Sequence, residues 1–232
     1  MLDGLMDRLG ERYEEWRYTA DFDFGATTDD LADHYEIGDE RMQKNAALYS
    51  LQLGFDAAAA GEIAEEKYEE ILASAQDHVN AYYFDEDVET ELILPETDRR
   101  TTEFRYHGCE EAFVERYRDL DHDPDRVVAI ASSGIEPGMV AAEYMDAELD
   151  IVRYSHRRLD DDTVIDFNHG YEGEEIVLVD DEAYTGQTMT EVAQHLRVMG
   201  ADRVIEEPHR DTRGGGLRGI ISGLLDRDGD GE

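Results

Sequence analysis

The sequence predicts an α/β fold in which a parallel, doubly wound sheet follows an all-helical N-terminal extension. Three observations carry that expectation. Residues 1–100 place apolar side chains at three- and four-residue spacing and contain no proline before Pro95. From Arg126 onward, short apolar runs alternate with helical stretches, the rhythm of strand–helix–strand units on a parallel sheet. The chain has 232 residues and is 41% hydrophobic, enough to bury a sizeable core, and no repeat is visible.

The elements follow in order. Leu2, Leu5, Leu9, Tyr13 and Trp16 mark a first helical run; Asp39 to Ala60 and Glu62 to Phe84 are two more, rich in Ala, Glu, Leu and Tyr. Gly61 lies between them and predicts a helical hairpin. The acid-rich DEDVETE and Pro95 end the pattern, so the boundary falls between Asp85 and Arg100. A helix over Glu110 to Leu120 precedes strands at Val127 to Ala131, Leu149 to Tyr154, Ile176 to Val179 and Arg203 to Glu206. Helices at Gly138 to Asp146 and Thr188 to Met199 alternate with them. Residues 155 to 175 interrupt the rhythm around a short strand at Val164 to Phe167, and predict a mobile loop. The domain reading is residues 1–100 helical, 101–225 α/β, and 226–232 an acidic tail. That tail, DRDGDGE, opens like a calcium loop but ends before the bidentate Glu such a loop needs.

Composition excludes several functions. Fifty-nine acidic residues against 21 basic ones give a formal charge of −38, a surface that repels nucleic acid and anionic membrane. A salt-rich cytoplasm explains it, because at molar salt the Debye length is about 3 Å and carboxylate repulsion is screened. One cysteine, Cys109, excludes an internal disulfide and predicts a cytoplasmic, reduced protein. No stretch approaches the roughly 20 apolar residues of a spanning helix.

The chemistry concentrates in IVLVDDEAYTGQTMT, Ile176 to Thr190. In open parallel sheets, ligands bind beyond the carboxyl ends of the strands. Asp180 and Asp181 stand at such an end. The turn Ala183-Tyr184-Thr185-Gly186-Gln187-Thr188 then enters a helix, whose first N–H groups and dipole favour a phosphate. Two carboxylates beside a phosphate cradle suit a ribose 5-phosphate, the acids accepting hydrogen bonds from its 2- and 3-hydroxyls. A response-regulator receiver also begins with a strand and VDDE, but only 51 residues follow Asp181 and none is the lysine that fold requires.

An apolar strand, two acids, three residues and T-G-x-T resemble the phosphoribosyl pyrophosphate (PRPP) signature of type I phosphoribosyltransferases. The version with tyrosine before TGxT is similar to that of pyrimidine-operon attenuators with uracil phosphoribosyltransferase activity. The resemblance covers about Val127 to Glu207 and implies a sheet of the type I phosphoribosyltransferase kind. It implies a pyrophosphate loop at Ser132, Ser133 and Gly134, where many members carry Arg or Lys. It places Arg153, His156, Arg157 and Arg158 at the start of a mobile catalytic loop, with Arg157 and Arg158 joining Asp180 and Asp181 as catalytic residues. Pairing of these arginines with Asp160, Asp161 and Asp162 is the alternative. Pro208, His209, Arg210 and Arg213 would face ribose or base, or belong to a glycine-rich tail.

The activity so implied is transfer of ribose 5-phosphate from PRPP to a nitrogenous base, with release of pyrophosphate and Mg2+ bound mainly through PRPP. Tyrosine at 184 argues against a guanine or hypoxanthine acceptor, and a homodimer is the family expectation. The alternative is a PRPP-sensing regulator in which the helical half is an effector module. Thr28 to Leu53 loosely resembles helix-turn-helix spacing around Ile37-Gly38-Asp39, but the region is acidic where a recognition helix needs base.

Overall fold

The computed structural model describes residues 27–29, 31–32, 40–84, 88, 90–99, 110–118, 120–131, 133–155, 163–167, 170–183 and 186–211. The chain divides into two compact units, Met1–Glu115 and Arg116–Glu232. The expected helix at Leu2 to Trp16, the Ile37-Gly38-Asp39 turn, Cys109 and the acidic tail lie outside the described residues.

In the first unit, α1 (Glu40–Ala59) and α2 (Glu65–Phe84) form the expected hairpin. Its turn takes a left-handed backbone at Gly61, φ +71°, which glycine adopts without steric cost. Phe55 and Tyr68 pack edge to face across the helices at 5.6 Å. Every residue of α1 from Lys44 to Phe55 is buried, where an amphipathic pattern foresees one face. Lys44 is one of them, its ammonium 4.7 Å from the centre of the Tyr82 ring.

Residues 90–99 carry no regular structure, yet their backbone is not left unpaired. Ser50 Oγ donates to the Ile93 carbonyl at 2.7 Å, and the Ile93 N–H donates to Ser74 Oγ at 2.9 Å. Asp77 accepts both the N–H and the hydroxyl of Thr90. Side chains here supply the partners that a neighbouring strand supplies in a sheet.

The second unit begins with the last turn of α3 (Glu110–Arg118). It continues through β1 (Arg126–Ala131), α4 (Ile135–Met145), β2 (Glu148–Ser155) and β3 (Thr163–Asp166). Then come β4 (Glu175–Val179), β5 (Glu182–Ala183), α5 (Gln187–Val198), β6 (Arg203–Glu206) and β7 (Arg210–Asp211). The main sheet has the order β3-β2-β1-β4-β6, and β5 pairs with β7 separately. β2, β1, β4 and β6 are mutually parallel, so their carboxyl ends share one edge.

This sheet is buried on both faces, as parallel sheets are. Val128, Ile130, Ile176 and Leu178 pack with Met189, Val192, Ala193 and Leu196 of α5. Val127, Ala129, Val177 and Val179 are also fully buried. Each such side chain contributes roughly 1.5–3 kcal/mol relative to exposure. On the α4 side, Gly138 approaches so closely that an added Cβ would stand 2.5 Å from Ala129 Cβ.

Two expectations are sharpened. The sheet is parallel in β2, β1, β4 and β6 as expected, and β3 adds an antiparallel strand beside β2; the stretch 156–162 between them is shorter than the dozen or so residues a parallel crossover needs. Of the stretch 155–175 expected as a mobile loop, the described residues 163–167 and 170–175 are held in place. Tyr171 is fully buried, its N–H donates to the Met199 carbonyl at 2.9 Å, and its hydroxyl donates to Asp166 at 3.1 Å. His195 Nε2 lies 3.2 Å from the same carboxylate, so β3, the turn and α5 are tied together.

At the amino end of β1, Arg126 gathers acids. Its guanidinium reaches Glu148 at 2.7 Å, Glu174 at 2.9 Å and Asp150 at 3.3 Å. Three carboxylates on neighbouring segments would repel one another without it.

Candidate functional site: an acid pair at the sheet's switch point

From β1 the chain crosses to β2 on one side and, later, β4 joins β1 on the other. The crevice beyond the ends of β1 and β4 is therefore the topological switch point, where ligands of open α/β sheets bind. Both predicted loops leave from it.

The loop after β1 is held by backbone constraints. The Gly134 N–H donates to the Ile130 carbonyl at 2.9 Å. A Cβ on Gly134 would lie 2.6 Å from that oxygen and 2.8 Å from the Val179 carbonyl oxygen. Only glycine fits between β1 and β4 here, and being glycine it puts no side chain over the first-turn N–H groups of α4. Gly186 does the same for α5, with φ +73° in the left-handed region. Two uncapped helix N-termini face the same edge, and both favour anions.

Asp180 and Asp181 follow β4 immediately. The Ser133 hydroxyl donates to Asp180 Oδ1 at 3.2 Å, and the Asp181 N–H donates to the same oxygen at 2.9 Å. The side chain that the pyrophosphate-loop reading singled out therefore touches the first acid of the ribose reading. Asp180 is buried, 7% exposed. Burial first, and then the neighbouring Asp181 carboxylate, push its pKa up to about 8, against the pull of the Asp181 N–H and the Ser133 hydroxyl. Asp180 thus holds its proton more tightly than a free carboxyl does, and the pair ionises less readily than two separate carboxylates.

Of the other predicted residues, Arg153 is placed in register with Ala131, the last residue of β1. Gln187 opens α5 and is exposed, while Thr188 is half-buried. Ala183 lies in β5. Ser132, Tyr184, Thr185, His156, Arg157, Arg158 and Arg213 lie outside the described residues.

Sequence reasoning left the segment after β6 open between a ligand-facing loop and a tail. Its first part returns to the acid pair. The Glu207 N–H donates to the Leu178 carbonyl at 2.9 Å, the His209 N–H donates to the Asp180 carbonyl at 2.8 Å, and β7 pairs Arg210 with Glu182. Glu207 also accepts from Arg116 at 2.5 Å and lies 3.2 Å from His122 Nε2.

Among the described residues, no three His, Cys, Asp or Glu side chains converge as a metal cage. They do not by themselves fit a resident magnesium ion, which demands near-octahedral oxygen ligands. No helix among the described residues is long and apolar enough to cross a membrane.

Fold and site together define an α/β domain of mostly parallel strands with two glycine-led helix N-termini beside an acid pair. Residues 102–205 match the family model of the phosphoribosyl transferase domain, so this part of the chain is similar to that family. No curated protein sequence matches the chain. Solved structures similar to it include a purine phosphoribosyltransferase from Pyrococcus horikoshii, 20% identical over 42% of this chain and 69% of that one, TM-score 0.36. Another is a hypoxanthine phosphoribosyltransferase from Trypanosoma cruzi, 13% identical over 45% and 69%, TM-score 0.39. The glutamine PRPP amidotransferase from B. subtilis is 17% identical over 42% of this chain, TM-score 0.37, and only 25% of that longer chain is spanned.

Proposed function

We propose that the protein binds PRPP at the switch point and transfers its ribose 5-phosphate to a nitrogenous base. The observation that carries the reading is the Ser133–Asp180 hydrogen bond at 3.2 Å, which joins the two loops that would hold the two ends of PRPP. The 5-phosphate would sit at the N-terminus of α5, on the Thr185–Thr188 turn. The pyrophosphate would sit at the N-terminus of α4, with Arg153 and the Arg157–Arg158 segment adding positive charge. Asp180 and Asp181 would accept hydrogen bonds from the ribose hydroxyls.

In the reaction, a base nitrogen forms a bond to the anomeric carbon as the carbon–oxygen bond to pyrophosphate breaks. Both electrons of that bond leave with pyrophosphate, and configuration inverts. The acid pair offsets the positive charge that develops on the ribose, and the helix N-termini stabilise the leaving anion. Magnesium, carried by the PRPP oxygens and water, would supply further neutralisation of the diphosphate. The charge of −38 supports a salt-rich cytoplasm as the setting.

The test is pyrophosphate release from PRPP and magnesium in high-salt buffer, with a panel of nucleobases. Release with at least one base, abolished by Asp180→Ala with Asp181→Ala, is expected. PRPP bound tightly with no base turned over would favour the PRPP-sensing regulator instead.

A further inference from the structure

β6 is the edge strand of the main sheet, and its parallel ladder with β4 does not end where the strand does. Glu206 stands opposite Leu178; beyond that pair the Glu207 N–H donates to the Leu178 carbonyl at 2.9 Å and the His209 N–H donates to the Asp180 carbonyl at 2.8 Å. Pro208 falls between them, at the alternate position where the ladder asks for no N–H. The ladder thus runs past the sheet onto the main chain of the first acid. On the outer side of this extension a side chain takes the place of a further strand. Glu207 Oε2 accepts from Arg116 at 2.5 Å, and Oε1 lies 3.2 Å from His122 Nε2. One partner comes from the last turn of α3 and the other from the connection into β1. Two partners on two oxygens fix the plane of the carboxylate as well as its place. Exposed ion pairs contribute little to stability, and less in molar salt; Arg116 is 39% exposed, so what this clasp supplies is geometry.

We propose that Glu207 is a positioning residue for the acid pair: clasped by Arg116 and His122, it pins the ladder extension that holds the Asp180 main chain, and so sets where the two carboxylates meet a sugar. The inference rests on the ribose-binding reading. Two adjacent hydroxyls of one ring reach both acids at once only if the acids are held to within about half an ångström. Releasing the extension therefore weakens the diol contacts, although Glu207 itself touches no ligand.

Calorimetric titration with PRPP and magnesium in molar potassium chloride tests it, with each protein also melted without ligand. Wild type is compared with Glu207→Ala, Glu207→Gln, Arg116→Ala, Asp180→Asn and the double variants of Glu207→Ala with each of the last two. Glu207→Ala should stay folded and bind PRPP about tenfold more weakly, as expected for a small displacement of the contacting groups. Arg116→Ala should lower affinity in the same way and add nothing to Glu207→Ala, since the two form one clasp. Glu207→Gln, which keeps an oxygen for one partner, should fall between wild type and Glu207→Ala. In the Asp180→Asn background the Glu207→Ala loss should shrink, because it acts through the acid pair. Affinity of Glu207→Ala within twofold of wild type, an undiminished loss in the Asp180→Asn background, or wild-type affinity in Arg116→Ala would each overturn the proposal. So would a Glu207→Gln protein that fails to fold, which would make the clasp a requirement of the fold. Failure of wild type to bind PRPP would instead overturn the ribose-binding reading, and the role of Glu207 with it.

Discussion

Replacing Asp180 with asparagine tests the electrostatics of the site without ligand. The carboxyl has a folded-state pKa raised from 3.8 to about 8, chiefly by burial. For a raised acid, folding is favoured by the protonated form: stability is full below the unfolded pKa near 4 and is lost as pH rises through 8. Each unit of displacement is worth about 1.4 kcal/mol, so the cost to the fold is on the order of 6 kcal/mol above pH 8 and near zero at pH 4. Asparagine has nearly the same shape, still offers an oxygen to Ser133 and to the Asp181 N–H, and does not ionise. Asp180→Asn should therefore be stabilising, with a gain that grows from pH 4 to 8 and then levels, while PRPP affinity falls. Denaturant unfolding of variant and wild type across that range, at constant molar salt, reads the difference with other carboxylates cancelling. A pH-independent difference, or a variant less stable than wild type at pH 8, would refute the reasoning.

Gly134→Ala should disable the site from the backbone outward, because the new methyl meets two carbonyl oxygens at 2.6 and 2.8 Å. A stability loss of about 1–3 kcal/mol, together with at least a tenfold weaker PRPP titration, is expected. Arg126→Leu should cost roughly 2–3 kcal/mol through Asp150 and Glu174, with little from the exposed Glu148. The loss should be larger at low salt and visible in urea unfolding, while PRPP affinity per folded molecule stays unchanged.

The sheet was legible because its strands are short β-branched runs buried on both faces, and its helices are bounded by glycine and proline. Val127–Ala131 and Ile176–Val179 could be read from composition alone, within a residue of their observed ends. What was not legible depends on contacts distant in sequence. Tyr171 stands in a polar stretch, NHGYEGEE, that looks like a solvated loop until Asp166, His195 and Met199 are brought to it. The antiparallel sense of β3 likewise follows from the shortness of the stretch 156–162, too brief for a parallel crossover of a dozen or so residues, not from the strand's own residues. In the candidate site, local spacing carried Asp180, Asp181, Gly186 and Gly134. The return of Glu207 to Asp211 was invisible, because it reaches the acid pair only through tertiary packing.

The central claim is that the crevice between β1 and β4 holds PRPP through the Asp180–Asp181 pair. Calorimetric titration of PRPP with magnesium into the wild-type protein and into the Asp180→Ala, Asp181→Ala double variant, in molar salt at pH 8, tests it most directly. Saturable one-to-one binding by wild type, weakened at least a hundredfold in a double variant that remains folded, is the predicted result. Equal affinity in the two proteins, or no binding by the wild type, would contradict it.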